Sequence, residues 1–270
     1  MKAKIISVVI PMYNSGNKTI RAIDSVLNQD YKECNFEILV VDDGSKDNSL
    51  QKVKDYKETK KITNLTIVHK ENGGPATARN VGLRAATGEY LCLLDSDDEW
   101  LPNKISRQMQ ILKANSEIDF LGCNLVGRKV KFLGKEIKKL HKITVLQLLI
   151  KCFPQTSTAI FKRNILADVG YFDERDVMKY GEDGFYWLKI CAKKNFFFFP
   201  DELVIYDDGK HPYVNQGWGS NVKEMRKGEQ KTLKYAYKNK LINVFQFYCL
   251  DIFQTIKYMR RVIIVRIHKK

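Results

Sequence analysis

Three carboxylates fall within four residues at Asp95-Ser96-Asp97-Asp98, directly after the apolar run Tyr90-Leu91-Cys92-Leu93-Leu94. Acidic side chains that close repel one another, so a fold keeps them only beside compensating positive charge. At the end of a buried strand, a divalent cation with a phosphate-bearing ligand supplies that charge. The plain alternative is an acidic turn capping the next helix. Upstream, Asp42-Asp43 follow the apolar run Phe36–Val41 and precede Gly44-Ser45. A carboxylate there accepts hydrogen bonds from a base imide or a ribose hydroxyl, or makes an Asx-turn into the following helix. The stretch Asn72-Gly73-Gly74-Pro75-Ala76-Thr77-Ala78-Arg79-Asn80 offers a flexible backbone, a helix N-terminus and an arginine one turn in. Such N-termini bind anions, and Arg79 can pair with phosphate. Together these pieces describe a nucleoside diphosphate site in which Asp97 holds Mg2+ or Mn2+, the hard cations suited to oxygen-only ligands. Neither a G-x-x-x-x-G-K-[ST] P-loop nor a G-x-G-x-x-G fingerprint is present, which removes support for ATPase and dinucleotide readings.

The elements that must position these residues follow from periodicity. Four apolar runs, Ile5–Ile10, Phe36–Val41, Leu65–Val68 and Tyr90–Leu94, each end in a polar loop. Continuous apolar strands are buried on both faces, as in a parallel sheet. Between them, Ile20, Ile23 and Val26/Leu27 recur at helical spacing, and a second helix opens at Pro75 and stops before Gly88. This β-α-β-α-β order predicts an α/β fold with an open, doubly wound, mostly parallel sheet, whose ligands sit beyond the carboxyl ends of the strands.

Composition bounds the rest. The chain has 270 residues, 44% of them hydrophobic, enough for one generous core. Its six cysteines are scattered without a C-x-x-C pair, so neither zinc nor a disulfide framework is suggested and a reducing, cytosolic compartment is expected. No secretory signal and no apolar run of about 18 residues is visible. The formal net charge is +15, and from Lys223 to Lys270 thirteen Lys or Arg face three acids, so the excess is concentrated in the tail.

The motifs resemble family 2 glycosyltransferases, which have the Rossmann-like GT-A fold. The matching stretches are Val8–Asn14, Val41–Asp47, Asn72-Gly73-Gly74 with Ala78-Arg79-Asn80, Asp95-Ser96-Asp97, Gly170–Glu174 and Gly181-Glu182-Asp183, over roughly residues 5 to 205. The resemblance implies that the Pro11–Asn14 loop, with Tyr13, and Asp42 meet the uracil and ribose of a UDP-sugar. It makes Asp95-Ser96-Asp97 a D-x-D motif, Asp95 toward ribose or sugar and Asp97 toward the metal. It makes Asp183 the general base of an inverting reaction, with Glu182 beside it; read alone, Asp183 is an acid at the start of a helix. His211 lies where many GT-A enzymes place a late metal ligand, although a lone loop histidine is more often simply exposed. Two features depart from the pattern: Lys189 replaces a common arginine, and no Q-x-x-R-W motif of processive synthases occurs. Single-sugar transfer is therefore expected.

Elsewhere, Lys129, Lys131, Lys135, Lys138 and Lys139 read as solvated, Pro154–Thr158 as a border of the acceptor pocket, and Phe196–Phe199 with Pro200 as a buried strand. Asp207, Asp208 and residues 213–221 suggest a lid. The tail from about Leu241 mixes aromatic and aliphatic residues with Lys257, Arg260, Arg261 and Arg266, the pattern of a helix lying on an anionic membrane or packing back on the protein. The expected organisation is a catalytic domain over 1–222 (nucleotide-binding half 1–100, acceptor-binding half 101–222) and a basic helical tail over 223–270. The expected protein is a cytoplasmic, metal-dependent inverting transferase, peripheral at the inner face of the plasma membrane. It would pass one sugar from a UDP-sugar to a glycan or lipid-linked saccharide of a bacterial-type surface polysaccharide. A nucleotidyltransferase is the nearest rival, but it wants a G-x-G-T-R-type loop where this chain has Pro11-Met12-Tyr13-Asn14. No nucleic acid is expected, because the crevice is acidic and the positive charge lies in the tail.

Overall fold

A computed structural model describes residues 4–151, 154–175, 181–206 and 222–268. The first half alternates as expected: β1 (Lys4–Met12), α1 (Gly16–Leu27), β2 (Cys34–Asp42), α2 (Ser49–Thr59), β3 (Leu65–His69), α3 (Pro75–Ala85) and β4 (Tyr90–Leu93). There follow β5 (Glu99–Trp100), α4 (Lys104–Ala114), β6 (Phe120–Leu125), a small hairpin of β7 (Lys131–Phe132) and β8 (Lys135–Glu136), and β9 (His141–Lys142). After α5 (Val145–Ile150) come β10 (Ala159–Lys162), α6 (Ile165–Val169), α7 (Glu182–Cys191), β11 (Phe196–Ile205), α8 (Val222–Lys238) and α9 (Val244–His268).

The chain divides into two compact units, the first being Met1–Lys142, Pro154–Phe172 and Lys194–Asp208. Its sheet runs β3-β2-β1-β4-β10-β6-β11-β5, with β9 paired to β11. The first four strands are parallel and β10 is antiparallel to both its neighbours, so the sheet is mixed but mostly parallel. Ile6, Val8, Val9 and Ile10 are all fully buried, which explains why β1 is a near-continuous apolar run, broken by Ser7, rather than alternating. Helix α3 lies so close to β1 that a Cβ on Gly82 would come within 2.3 Å of Val9 Cγ1. Phe196 stacks on Phe120 at 3.9 Å in the buried start of β11. The strand then continues past Pro200 with register shifts against β6 between Phe198 and Val204, because proline has no N–H to give the ladder.

The second unit comprises Ile143–Phe153, Asp173–Lys193 and Gly209–Lys270. Leu149 of α5, Leu188 of α7, Leu233 and Ala236 of α8, and Ile242 and Leu250 form its apolar cluster. Helix α8 begins at Val222, and the unit takes in α5 and α7 because Leu149 and Leu188 share a core with Leu233 and Ala236. Thr144 and Gln147 make a reciprocal capping box at the start of α5.

Candidate functional site

The loops at the carboxyl ends of β1, β2 and β4 are tied to one another by short polar links. Asn14 adopts a positive φ of 49°, which asparagine tolerates, and its backbone N–H donates to Ser45 Oγ at 2.9 Å. Its Oδ1 in turn accepts from Lys46 N at 2.8 Å. Ser15 Oγ lies 3.0 Å from Ser96 Oγ, joining the first loop to the acidic one. Gly16 N donates to Ser49 Oγ at 2.8 Å, and a Cβ at Gly16 would meet Ser49 Cα at 2.9 Å. Pro11 closes β1, and the Tyr13 ring is exposed beside this junction.

Asp42 and Asp43 are neighbours with different tasks. Asp42 is fully buried; its carboxylate accepts from the Ser45 backbone N–H at 3.3 Å and from the Ser45 hydroxyl, and lies 2.6 Å from His69 Nδ1. Asp43 accepts from Gly73 N at 3.0 Å, Gly74 N at 2.7 Å and Lys70 Nζ at 2.5 Å, with Asn72 Nδ2 at 3.3 Å. Both its oxygens are therefore spent on the glycine loop. Through two N–H groups at the start of α3 and an ammonium, Asp43 ties the end of β2 to the glycine loop. Gly74 takes φ 90° there, a conformation natural to glycine.

Arg79 is held within the protein. It is buried, its Nη2 donates to Asp95 Oδ1 at 2.7 Å, and its guanidinium sits 5.5 Å from the centre of the Phe172 ring. It thus supplies positive charge to the acidic cluster from within the protein. Asn80, beside it, exchanges two 2.9 Å hydrogen bonds with the backbone of Phe172 and so fixes the segment that covers Arg79.

In the acidic loop itself, Asp95 N donates to Ser157 Oγ at 3.0 Å, the Ser157 hydroxyl donates to Asp98, and Trp100 Nε1 donates to Ser157 O at 2.8 Å. Ser157 is fully buried, so the stretch expected to border an acceptor supports the acidic turn at this residue. Asp98 points inward and is almost fully buried, whereas Asp95, Ser96 and Asp97 are half-buried. Burial, then the charges of Asp98, Asp97 and Asp95, push the Tyr206 phenol up to about 12. Arg128 lies 5.2 Å from the centre of the Tyr206 ring. Sequence reasoning gave no role to Tyr206 or Arg128, and it named Asn80 and Ser157 only within longer stretches. The need to compensate three carboxylates was the one available signal, and it pointed to a cation without naming its position.

Among the described residues, no group of three or more His, Cys, Asp or Glu is placed to hold a metal ion. His211, Asp207, Asp208 and residues 213–221 lie outside the described residues. The oxygen donors of the acidic loop nevertheless fit a hard cation that keeps waters and takes ligand phosphates, which needs only one or two protein carboxylates.

In the second unit, Glu182 and Asp183 occupy the first turn of α7, where the helix dipole stabilises carboxylates. Gly181 precedes them at φ 98°, and Asp183 Oδ1 accepts from Gly184 N at 2.7 Å. No side-chain hydrogen bond caps this helix at Gly181, so Asp183 enters at its second position rather than as the cap.

A family model described as glycosyl transferase family 2 matches residues 7–170. An uncharacterized glycosyltransferase of Rickettsia felis is 35% identical over 194 residues, 70% of this chain and 31% of that protein. The chain thus spans about a third of the length of that curated relative. The Escherichia coli UDP-Glc:alpha-D-GlcNAc-diphosphoundecaprenol beta-1,3-glucosyltransferase WfgD is 31% identical over 191 residues, 71% of each chain. In fold, the chain resembles S. aureus TarS 1–349 in complex with UDP-GlcNAc, at a TM-score of 0.60 and 22% identity over 95% of this chain and 72% of that one. It also resembles the Pyrobaculum calidifontis mannosyltransferase PcManGT in complex with GDP-Man and Mn2+, at a TM-score of 0.65 and 24% identity over 86% and 63%.

Proposed function

This chain belongs to glycosyl transferase family 2, and from that premise we propose that it moves a single sugar, with inversion, from a UDP-sugar to a hydroxyl of a glycan or lipid-linked acceptor in bacterial-type polysaccharide synthesis. The observation that carries the reading is the acidic loop after β4. Asp95 is held by Arg79 and Asp98 by Ser157, and Ser96 is linked to Ser15 of the first strand-end loop. These links brace the loop on either side of the half-buried Asp97, which supports reading it as a metal-binding carboxylate.

In this reading Pro11, Tyr13, Asn14 and Asp42 take the base and ribose, and Asp95 with Ser96 faces the ribose or the sugar. The Gly73 loop, held by Asp43, keeps α3 and Arg79 in place. Asp97 would hold Mg2+ or Mn2+, which when bound would supply electrostatic stabilisation of the departing diphosphate. Asp183 accepts the proton of the acceptor hydroxyl as it attacks, with Glu182 beside it. Attack from the face opposite the leaving group inverts the anomeric centre, so an α-linked donor gives a β-glycoside. WfgD acts, by its name, on a diphosphoundecaprenol-linked sugar. A lipid-linked acceptor of that class would place this protein at the inner face of the plasma membrane.

Titration calorimetry of UDP, GDP and a panel of UDP-sugars, with and without Mn2+, tests the donor side. The reading expects UDP-sugar binding that strengthens with metal in the wild type and loses that gain in Asp97→Asn. Equal binding with and without metal removes Asp97 from this role.

A further inference from the structure

Among the described residues of the second unit, the exposed large apolar side chains other than Tyr237 all lie on α9. Phe245, Tyr248, Ile252, Ile256, Met259 and Ile263 follow one another at steps of three or four residues and therefore form a single stripe. All six are exposed, Phe245 at 74% and Ile252 at 62%. The helix spans 25 residues, about 37 Å at the helical rise. A contiguous apolar face of this length on a water-soluble surface marks a binding site.

The charges say what covers it. The two acids nearest the stripe are committed to cations of the protein: Asp251, its side chain 41% exposed, to Arg226 at 2.6 Å and Glu229 to Arg261 at 2.9 Å. Gln254 and Leu250 are buried on the inner side, and Gln254 donates to Leu149 O at 3.1 Å. Packing thus fixes which side of α9 faces outward. On the outward side the only charged residues among the described positions of the helix are Arg260 and Arg266, both exposed. At the corner where α8 meets α9, Lys234, Lys238 and Lys240 are exposed around Tyr237. The surface is an apolar stripe rimmed by cations and aromatic rings.

We infer that this face docks the protein on an anionic lipid bilayer, with α9 lying in the plane of the interface. A second copy of the chain fits less well. An isologous contact sets a patch against itself, which here brings arginine to arginine, while Asp251, the one acid among the described residues of the helix, is already paired with Arg226. Crossing the membrane is a different matter: among the described residues no helix is long and apolar enough to do so. The aromatic and aliphatic stripe enters the acyl boundary while the basic rim meets lipid phosphates, which is the division of labour of an interfacial helix. Each basic residue near such a surface contributes about fivefold in affinity.

The test uses the full chain with vesicles of phosphatidylcholine alone or mixed with phosphatidylglycerol, read by co-sedimentation. Binding is expected to the mixed vesicles, to weaken at high salt, and to fall more than tenfold in Phe245→Glu/Ile252→Glu/Met259→Glu. In Arg260→Gln/Arg266→Gln, which leaves the stripe intact and removes no buried partner, it is expected to fall roughly 25-fold, from about fivefold per residue. Cys249, exposed on the same face, supplies a second readout: its alkylation is expected to slow on the mixed vesicles. Absence of vesicle binding, binding unchanged in both variants, or a dimer that the glutamate variant dissociates without any vesicle binding overturns the inference. Donor binding is measured separately in the same preparations, so failure of the membrane surface and failure of the transferase reading are distinguishable.

Discussion

Replacing Asp43 by alanine is expected to unfasten the glycine loop that starts α3. In the folded chain its carboxylate receives Gly74 N at 2.7 Å, Gly73 N at 3.0 Å and Lys70 Nζ at 2.5 Å, at 4% exposure. The Gly74 N–H is buried, so losing its acceptor costs about 2 kcal/mol in unmet hydrogen bonding. The Gly73 N–H is only partly buried and can reach water, which brings its share to about 1 kcal/mol. Lys70 is partly exposed and keeps Thr77 Oγ1 at 2.9 Å, so its ion pair adds roughly 0–1 kcal/mol. The sum of about 3–4 kcal/mol corresponds to a fall in melting temperature of roughly 6–16 °C for a protein of this size. Calorimetry without ligand measures the shift, and hydrogen exchange at residues 73–77 locates it. Asp43→Asn, which keeps one acceptor but turns an amide toward the N–H groups, is expected to fall between wild type and alanine. A melting temperature within about 2 °C of wild type for Asp43→Ala, with unchanged exchange, refutes the scaffolding role.

Three further outcomes follow from the same geometry. Gly82→Ala sets a Cβ 2.3 Å from Cγ1 of the fully buried Val9, and overpacking of that kind is expected to cost about 1–3 kcal/mol in urea denaturation. Arg79→Met removes the guanidinium that compensates Asp95, so stability falls by about 2–4 kcal/mol while Mn2+ alone binds more tightly to the less neutralised cluster; weaker metal binding would contradict that sign. Burial first of all holds the Cys34 and Cys123 thiols up at about 12 and Cys92 at about 11, and the Tyr56 and Tyr206 phenols at about 12. Folded values above the unfolded ones mean a contribution fully present below pH 9 and lost as pH rises from there through 12, so denaturation midpoints are expected to drop steadily over that window.

The parallel half of the sheet was legible because β1, β2 and β4 are buried on both faces, which leaves an uninterrupted apolar run before each polar loop. Strands β5, β7, β8 and β9 are two residues each and too short for any period to show. The site was legible in residue types but not in roles. Asp42 and Asp43 are identical in sequence terms, and only the position of Lys70 and the glycine N–H groups decides that Asp43 turns to the loop. The pairs Ser157–Asp98 and Asn80–Phe172 span 59 and 92 residues, and no local pattern announces them. The tail's mixture of rings and cations was plain, while the choice of outward face depends on Arg226, Leu250 and Gln254, which pack on the inner side.

The most direct measurement is UDP release from a panel of UDP-sugars, with and without Mn2+, for wild type, Asp97→Asn and Asp183→Asn, each variant also assayed for donor binding. Metal-dependent turnover of one UDP-sugar by the wild type is expected. Asp97→Asn should lose turnover together with metal-dependent binding, whereas Asp183→Asn should bind donor normally and fail to turn it over. Turnover that ignores metal, or an Asp183→Asn protein as active as the wild type, contradicts the account.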